Sequence, residues 1–187
     1  MIIDNQMPTE DGHMQIYLST LTELDYDKSL NSIEESFDDN PETSWQARAK
    51  VKHLRKSPCY NFELEVIAKN ENNDVVGHVL LIEVEINSDD KTYYGLAIAS
   101  LSVHPELRGQ KLGRGLVQAV EERAKAQEYS TVVVDHCFDY FEKLGYQNAA
   151  EHDIKLESGD APLLVKYLWD NLTDAPHGIV KFPEHFY

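Results

Sequence analysis

Apolar residues recur along this chain in two rhythms, every second position and every third or fourth, and the switches between them mark its elements. From Gln15 the alternation of Ile16 and Leu18, followed by Leu21, predicts a strand. Leu30, Ile33 and Phe37 then fall at helical spacing, with Asp25 placed to cap the helix. A second helix follows Pro41 and carries Trp45, Ala49 and Leu54; Ser57-Pro58 stops it, because a proline disfavours helical geometry in the residue before it. Phe62 to Ala68 reads as a strand, Asn70 to Asp74 as a polar turn, and Val75 to Ile86 as a long strand with β-branched residues on both faces. Those two runs predict an antiparallel hairpin. After a turn over Asn87 to Lys91, Tyr93 to Val103 mixes small and apolar residues, which suits a strand covered on both faces.

The texture changes at Pro105. A segment Arg108-Gly109-Gln110-Lys111-Leu112-Gly113 leads straight into an amphipathic helix whose stripe is Leu112, Leu116, Val117, Val120 and Ala124. Glu121, Glu122, Arg123 and Lys125 fall mainly on its other side and are expected in solvent. Thr131 to Val134 is a short β-branched strand, and a strand, helix, strand order of this length favours a parallel pair joined by a crossover. Phe138 to Leu144 reads as a short helix ended by Gly145. Tyr146 to Leu156 and Pro162 to Leu168, around Glu157-Ser158-Gly159-Asp160, predict a final hairpin.

Composition narrows the class. With 187 residues, 42% of them hydrophobic, the chain reads as a polar, flexible leader over residues 1–13 and a single domain over 14–187, including its C-terminal tail. Thirty-three acidic against 17 basic residues give a net charge of -16. Nucleic acid is therefore excluded as an expected partner, and a cationic small substrate suits the field. No apolar run approaches the roughly 20 residues of a membrane span, and no basic segment followed by an apolar stretch opens the chain. Cys59 and Cys137 are far apart, so neither a disulfide framework nor a cysteine-based metal site is indicated. The expected setting is cytoplasmic, with no membrane association.

Candidate chemistry concentrates between Leu101 and Leu116. A strand that ends in a tight loop at a helix start presents unpaired N–H groups and the positive end of the helix dipole to one point, which makes an anion site. Gly109 and Gly113 let the backbone approach a ligand, and Arg108, Lys111 and Arg114 add three cations to an acidic chain. A pyrophosphate is the natural occupant; the alternative is a glycine-rich turn whose cations balance local charge. The segment has no Gly-Lys-Ser/Thr ending and no Gly-x-Gly-x-x-Gly, so two familiar phosphate loops are set aside.

What remains resembles motif A of the GNAT superfamily of acyl-CoA-dependent N-acyltransferases, Val-x-Pro-x-x-Arg/Gln-x-x-Gly-x-Gly/Ala. Aligned on Val103 and Pro105, Arg108 takes the Arg/Gln position, Lys111 stands where the first Gly often sits, and Gly113 takes the Gly/Ala position. Tyr140-Phe141-Glu142-Lys143-Leu144-Gly145-Tyr146 is similar to the family's Phe-Tyr-Glu-Lys-Leu-Gly-Phe, and Gly77-His78-Val79-Leu80-Leu81 to the start of its third strand. The tail from Gly178 to Phe186 is similar to an ending found in one bacterial subgroup. The resemblance implies an α/β fold of the GNAT type. Its sheet is mixed and largely antiparallel, of about seven strands, with a splayed parallel pair and helices on both faces. It implies acetyl-CoA as co-substrate and no metal. Leu101, Ser102 and Val103 are expected along the pantetheine arm, Arg108, Gly109, Gln110, Lys111, Leu112, Gly113 and Arg114 around the pyrophosphate, and Phe141 among the cofactor contacts.

Acyl transfer from a thioester to an amine needs a neutral amine, a stabilised oxyanion and a thiolate able to leave. In the family a Tyr often protonates the thiolate, and that position here is Phe141. Tyr140 is the substitute, although neighbouring helical residues point about 100° apart; its alternative is a core residue. Glu83 is the expected general base, with Glu85 and His78 as alternatives on the same strand. Asp135-His136-Cys137 is set aside as a nucleophilic constellation, on the ground that consecutive residues do not face one another. The expected activity is transfer of acetyl from acetyl-CoA to a primary amine, on a small molecule or a protein, directly within a ternary complex. The competing expectation is a non-catalytic acyl-CoA sensor or interaction module. Apolar residues between Trp169 and Tyr187 also suggest a homodimer contact.

Overall fold

The structure is a computed structural model that describes residues 15–37 and 40–187. The leader expected over residues 1–13 lies outside them. In chain order the elements are β1 (Tyr17–Thr20), α1 (Tyr26–Ser36), α2 (Pro41–Leu54), β2 (Glu65–Lys69), β3 (Val75–Asn87), β4 (Thr92–Val103), α3 (Leu112–Ala126), β5 (Thr131–Val134), α4 (Phe138–Glu142), β6 (Gln147–Asn148), β7 (Ile154–Leu156), β8 (Leu164–Tyr167) and β9 (Gly178–Lys181). Among the described residues no helix is long and apolar enough to cross a membrane.

Local chemistry accounts for several boundaries. Asn40 caps α2, its side chain accepting from the N–H groups of Glu42 and Thr43, and Pro41 opens the first turn where its missing N–H is no loss. Asp25 precedes α1 as expected but makes no cap bond. Its carboxylate is instead buried against Lys69 Nζ at 2.9 Å and accepts from Thr22 Oγ1 at 2.9 Å, so it ties the helix start to β2. The strand expected from Phe62 starts only at Glu65, after a 3₁₀ turn.

The sheet runs β1-β2-β3-β4-β5-β8-β6, with β9 beside β3 and β7 beside β9. It has nine strands, more than the seven or so expected, because short segments in the last forty residues join it. β1 to β4 form an antiparallel meander, and β4 and β5 run parallel. That parallel pair is joined only at Leu96↔Val132 and Ala97↔Val133. Two residues later the register between β3 and β4 slips, Leu80 facing Ser100 and Leu81 facing Ile98, which leaves Ala99 as an extra residue. Such a bulge bends its strand, and from this point β4 and β5 diverge.

Each face of the sheet carries its own core. The predicted α3 stripe of Leu112, Leu116, Val117, Val120 and Ala124 is buried against Val79, Leu81, Leu96 and Ile98, with Phe141 of α4 beside it. α1 and α2 bring Leu30, Ile33, Val51 and Leu54 onto Leu80, Ile82 and Ala97 from the other side. At roughly 1.5–3 kcal/mol for each fully buried large apolar side chain, both layers are held by burial rather than by the loops between them.

Two expectations are corrected. Tyr146 to Leu156 is not one strand: β6 pairs with β8, a 3₁₀ turn over Ala149–His152 intervenes, and β7 leaves to pair in parallel with β9. Pattern alone missed this because three-residue strands carry too few alternations. Glu121 is only 5% exposed, its carboxylate bound by Lys166 Nζ at 2.9 Å. It follows Val117 by four and precedes Ala124 by three, which places it on the flank of the buried stripe rather than opposite it. The tail packs within the domain: Val180 lies in β9, and Val180 and Phe186 are buried in the chain's own core.

Candidate active site

The loop before α3 is a cradle of unpaired donors. Among the described residues, no acceptor takes the backbone N–H groups from Gly109 through Arg114, and the first helical bond runs from Gly115 N–H to Lys111 O. Lys111 holds the turn with φ 64° and ψ 14°, a left-handed conformation rare outside glycine. That is why a glycine suits this position. Gln110, Lys111 and Arg114 are exposed, while Leu112 is buried and offers the cradle only its backbone. Arg108 differs from expectation. Its Nε lies 3.4 Å from Val103 O and its guanidinium also bonds Ser36 O, so it fastens the loop to the end of α1.

Gly113 marks a close approach. A Cβ there would lie 2.5 Å from the Tyr140 hydroxyl, so Tyr140 rests its phenol on the first turn of α3. Burial pushes this phenol's pKa up, the neighbouring Cys137 adds to the rise, and Arg114 opposes it. Phe141 takes the opposite direction. It is 0% exposed, with its ring centroid 5.2 Å from that of Tyr140 and 5.3 Å from that of Tyr146, and it packs inside the core. As an expected cofactor contact Phe141 is corrected: it supports Tyr140 from below and presents no side-chain surface.

Along the diverging part of β4, Leu101 and Val103 pack their side chains onto the α3 core. Ser102 is buried and its Oγ has no partner among the described residues. The strand edge that leaves β5 after Ala97 is thus available through its peptide groups, next to the cradle at its end.

The expected base does not join this arrangement. Glu83 Oε2 accepts from the Tyr129 hydroxyl at 2.5 Å, in the connection between α3 and β5. Tyr129 follows the C-terminal end of α3, a helix about 22 Å long at 1.5 Å per residue, whereas the cradle sits at its N-terminal end. Glu83 is thus engaged by Tyr129, away from the cradle. Glu85 lies further along β3, facing Tyr94, with its carboxylate beside Asn87. His78 is fully buried in an ion network: its Nε2 lies 2.7 Å from Glu65 Oε2, Arg55 Nε donates to both Glu65 oxygens at 3.1 Å, and the Tyr60 hydroxyl donates to Oε1 at 2.7 Å. Those bonds join α2 to β2 and β3.

What pattern reading missed stands where β5 ends. Asp135 and His136 follow the last strand residue, Val134, and the chain bends there. Asp135 Oδ1 and His136 Nδ1 are 3.0 Å apart. Consecutive residues do face one another here, because the strand geometry that would separate them has already stopped. Burial alone would raise the Asp135 pKa. The hydrogen bond of His136, with the charges of His136 and Lys50 and the nearby Tyr187 phenol, outweighs it and holds this carboxyl below its ordinary range. The tail that carries Tyr187 is seated on α2: His53 and His185 stack at 4.9 Å, and Lys50 Nζ lies 4.0 Å from the Phe186 ring centroid. One signal could have found the pair. Polar residues directly after the β-branched run of a parallel strand lie at its carboxyl end, where open α/β sheets bind ligands.

The fold recurs in known proteins. The family model described as the acetyltransferase (GNAT) family matches residues 18–146. An uncharacterized N-acetyltransferase of Escherichia coli, YhbS, is 27% identical over 142 residues, which cover 75% of this chain and 83% of that protein. The crystal structure of Escherichia coli YhbS in complex with CoA superposes with a TM-score of 0.79 at 22% identity, covering 91% of both chains. A GNAT family acetyltransferase from Brucella melitensis, in complex with acetyl-CoA, gives 0.70 at 17% identity over 92% of this chain and 98% of that one. With a diverging parallel pair, a donor-lined loop at the start of the helix between them and a family match over most of its length, this chain belongs to the GNAT acetyltransferase family.

Proposed function

We propose that the protein transfers an acetyl group from acetyl-CoA to a primary amine, directly, within a ternary complex. One observation carries the reading: the unpaired N–H groups of Gly109 through Arg114 stand at the head of a strand edge freed from β5. Those residues suit the cofactor. The N–H groups and the α3 dipole receive a pyrophosphate, Lys111 and Arg114 add charge, and the peptide groups of Leu101, Ser102 and Val103 line the pantetheine arm. Acetyl-CoA supplies the activated acyl group. Tyr140 is the group assigned to return a proton to the departing sulfur, and for this its phenol leaves Gly113, on which it rests, and turns toward the pantetheine arm. The excess of 33 acidic over 17 basic residues favours a cationic acceptor, an alkylammonium on a small molecule or a protein.

Thermal unfolding with acetyl-CoA tests the cofactor site. At about 100 times its Kd, the ligand adds roughly 2.7 kcal/mol, which for a domain of this size raises Tm by about 5–10 °C. Gly113→Asp puts a carboxylate between the cradle and Tyr140 and is expected to abolish that rise. Release of CoA thiol in the presence of primary amines then separates an enzyme from an acyl-CoA sensor. An acetyl-CoA shift without thiol release from any amine rejects the transferase reading.

A further inference from the structure

We propose that His136 is the general base that takes the proton from the attacking amine, with Asp135 as its positioning residue. The proposal rests on the N-acetyl-transfer reading and supplies a base in place of Glu83. Three observations carry it. The 3.0 Å contact between Asp135 Oδ1 and His136 Nδ1 places the ring proton on Nδ1 and leaves Nε2 as the basic nitrogen. The pair lies at the carboxyl end of β5, two residues past the last β4–β5 pairing, where the strands part. And His136 and Tyr140 pack against the same buried ring. Phe141 has the His136 ring edge-on at 6.0 Å and the Tyr140 ring edge-on at 5.2 Å, so the proposed base and acid pack on one aromatic support.

The charged and titratable groups around the pair come from three elements. Lys50 faces Asp135 from α2, Tyr187 approaches it from the tail, and Cys137 and Tyr140 follow His136 on its own segment. The Lys50 charge favours the anion of Asp135, and the anion fixes the imidazole.

The protons balance. His136 Nε2 takes one proton from the acceptor ammonium and passes it to solvent, and the freed nitrogen pair forms the C–N bond at the thioester carbonyl. When the C–S bond breaks, the sulfur takes the Tyr140 hydroxyl proton. The second proton lost by the nitrogen restores that phenol through solvent. One amide, one thiol and one released proton result.

The test uses the full-length protein with tyramine, spermidine and glycyl-lysine as acceptors, following thiol release between pH 6 and 9.5, a range of roughly the span over which imidazole and alkylammonium groups titrate. His136→Gln is expected to lower kcat by about 10²–10⁴-fold while keeping the acetyl-CoA rise in Tm. Its residual rate should climb with pH as the amines lose their own protons, and added imidazole should restore part of it. Asp135→Asn should lower kcat about tenfold, on the order of what mutating a partner that orients a functional histidine does. Nitrogen chemical shifts of the wild-type ring should report a proton on Nδ1, lost in Asp135→Asn. A His136→Gln protein with kcat within about threefold of wild type, or a ring protonated on Nε2, overturns the assignment. Loss of the acetyl-CoA shift in His136→Gln overturns it as well, by making the residue a cofactor contact. Wild-type protein that binds acetyl-CoA but acetylates none of the three amines rejects the transferase reading, and the base assignment falls with it.

Discussion

The two faces of the sheet are held by different physics. On the α3 face the contacts are mainly apolar, with one buried carboxylate, Glu121, paired to Lys166 at the flank of the helix. On the α1–α2 face a charged network is buried as well, and its members, Arg55, Glu65 and His78, stand on three separate elements. Apolar packing degrades gradually as atoms are removed. A buried ion network does not, because removing one partner strands the others without water.

The sharpest way to break this contrast is Glu65→Ala. The Arg55 side chain is 3% exposed and His78 is fully buried, so both lose their main acceptor with no solvent to replace it. A loss of roughly 3–5 kcal/mol is expected, seen as a fall in Tm of about 10 °C or more. Replacing Arg55, Glu65 and His78 together with Met, Leu and Leu should recover much of that loss, since an apolar set leaves no stranded charge. A loss below about 1 kcal/mol in Glu65→Ala would erase the distinction between the faces.

The same carboxylate sets an acid limit. Burial pushes Glu65 up, but the hydrogen bond and charge of His78, with those of Arg55, outweigh it and hold it at about 2 against an ordinary 4.5. Its folded pKa is thus below its unfolded one. The contribution is complete above pH 4.5 and is lost as pH falls toward 2, a few kcal/mol in all. Urea midpoints measured between those pH values should fall steeply in the wild-type protein and more gently in Glu65→Gln.

The tail strand gives a smaller effect at the edge of the α1–α2 face. Gly178 opens β9 with φ +123°, and a Cβ there would collide with the Asn87 backbone carbonyl. A left-handed residue without glycine's freedom costs about 1–3 kcal/mol before the collision is relieved. Gly178→Ala should therefore lower Tm by several degrees, and it should loosen the tail from α2 while leaving acetyl-CoA binding intact. Equal loss of acetyl-CoA binding would mean that the tail and the cradle are one cooperative unit.

Legibility in the sequence follows the same division. The long hairpin of β2, β3 and β4, the α3 stripe and the cradle could all be read, because each is set by periodicity or by neighbours within a few residues. β7 and β9 could not, since strands of three and four residues exist only through their pairing across more than twenty positions. Glu121 was misplaced by one helical flank, and what settles it is Lys166, far away on β8. For the candidate site, the phosphate loop carried a motif, whereas the contact of Asp135 with His136 depends on where β5 stops. Tyr187 reaches Asp135 only because a tail with no pattern of its own folds back onto α2.

The smallest effect returns to the α3 face, at the one position where the loop departs from the family pattern. Lys111 adopts φ 64°, which costs a side-chain-bearing residue about 1–2 kcal/mol. A glycine would remove that strain but gives back roughly 0.5–1 kcal/mol through its freer unfolded chain. Lys111→Gly should then raise Tm by about 1–3 °C without ligand. Losing one exposed cation beside a pyrophosphate weakens the pairing by about 0.2–1 kcal/mol, so the acetyl-CoA Kd should rise up to roughly fivefold. Stability and affinity then move in opposite directions, one reporting the backbone and the other the charge. A fall in both stability and affinity would show that the Lys111 side chain itself braces the cradle, so that a polar contact and not backbone geometry alone holds the loop.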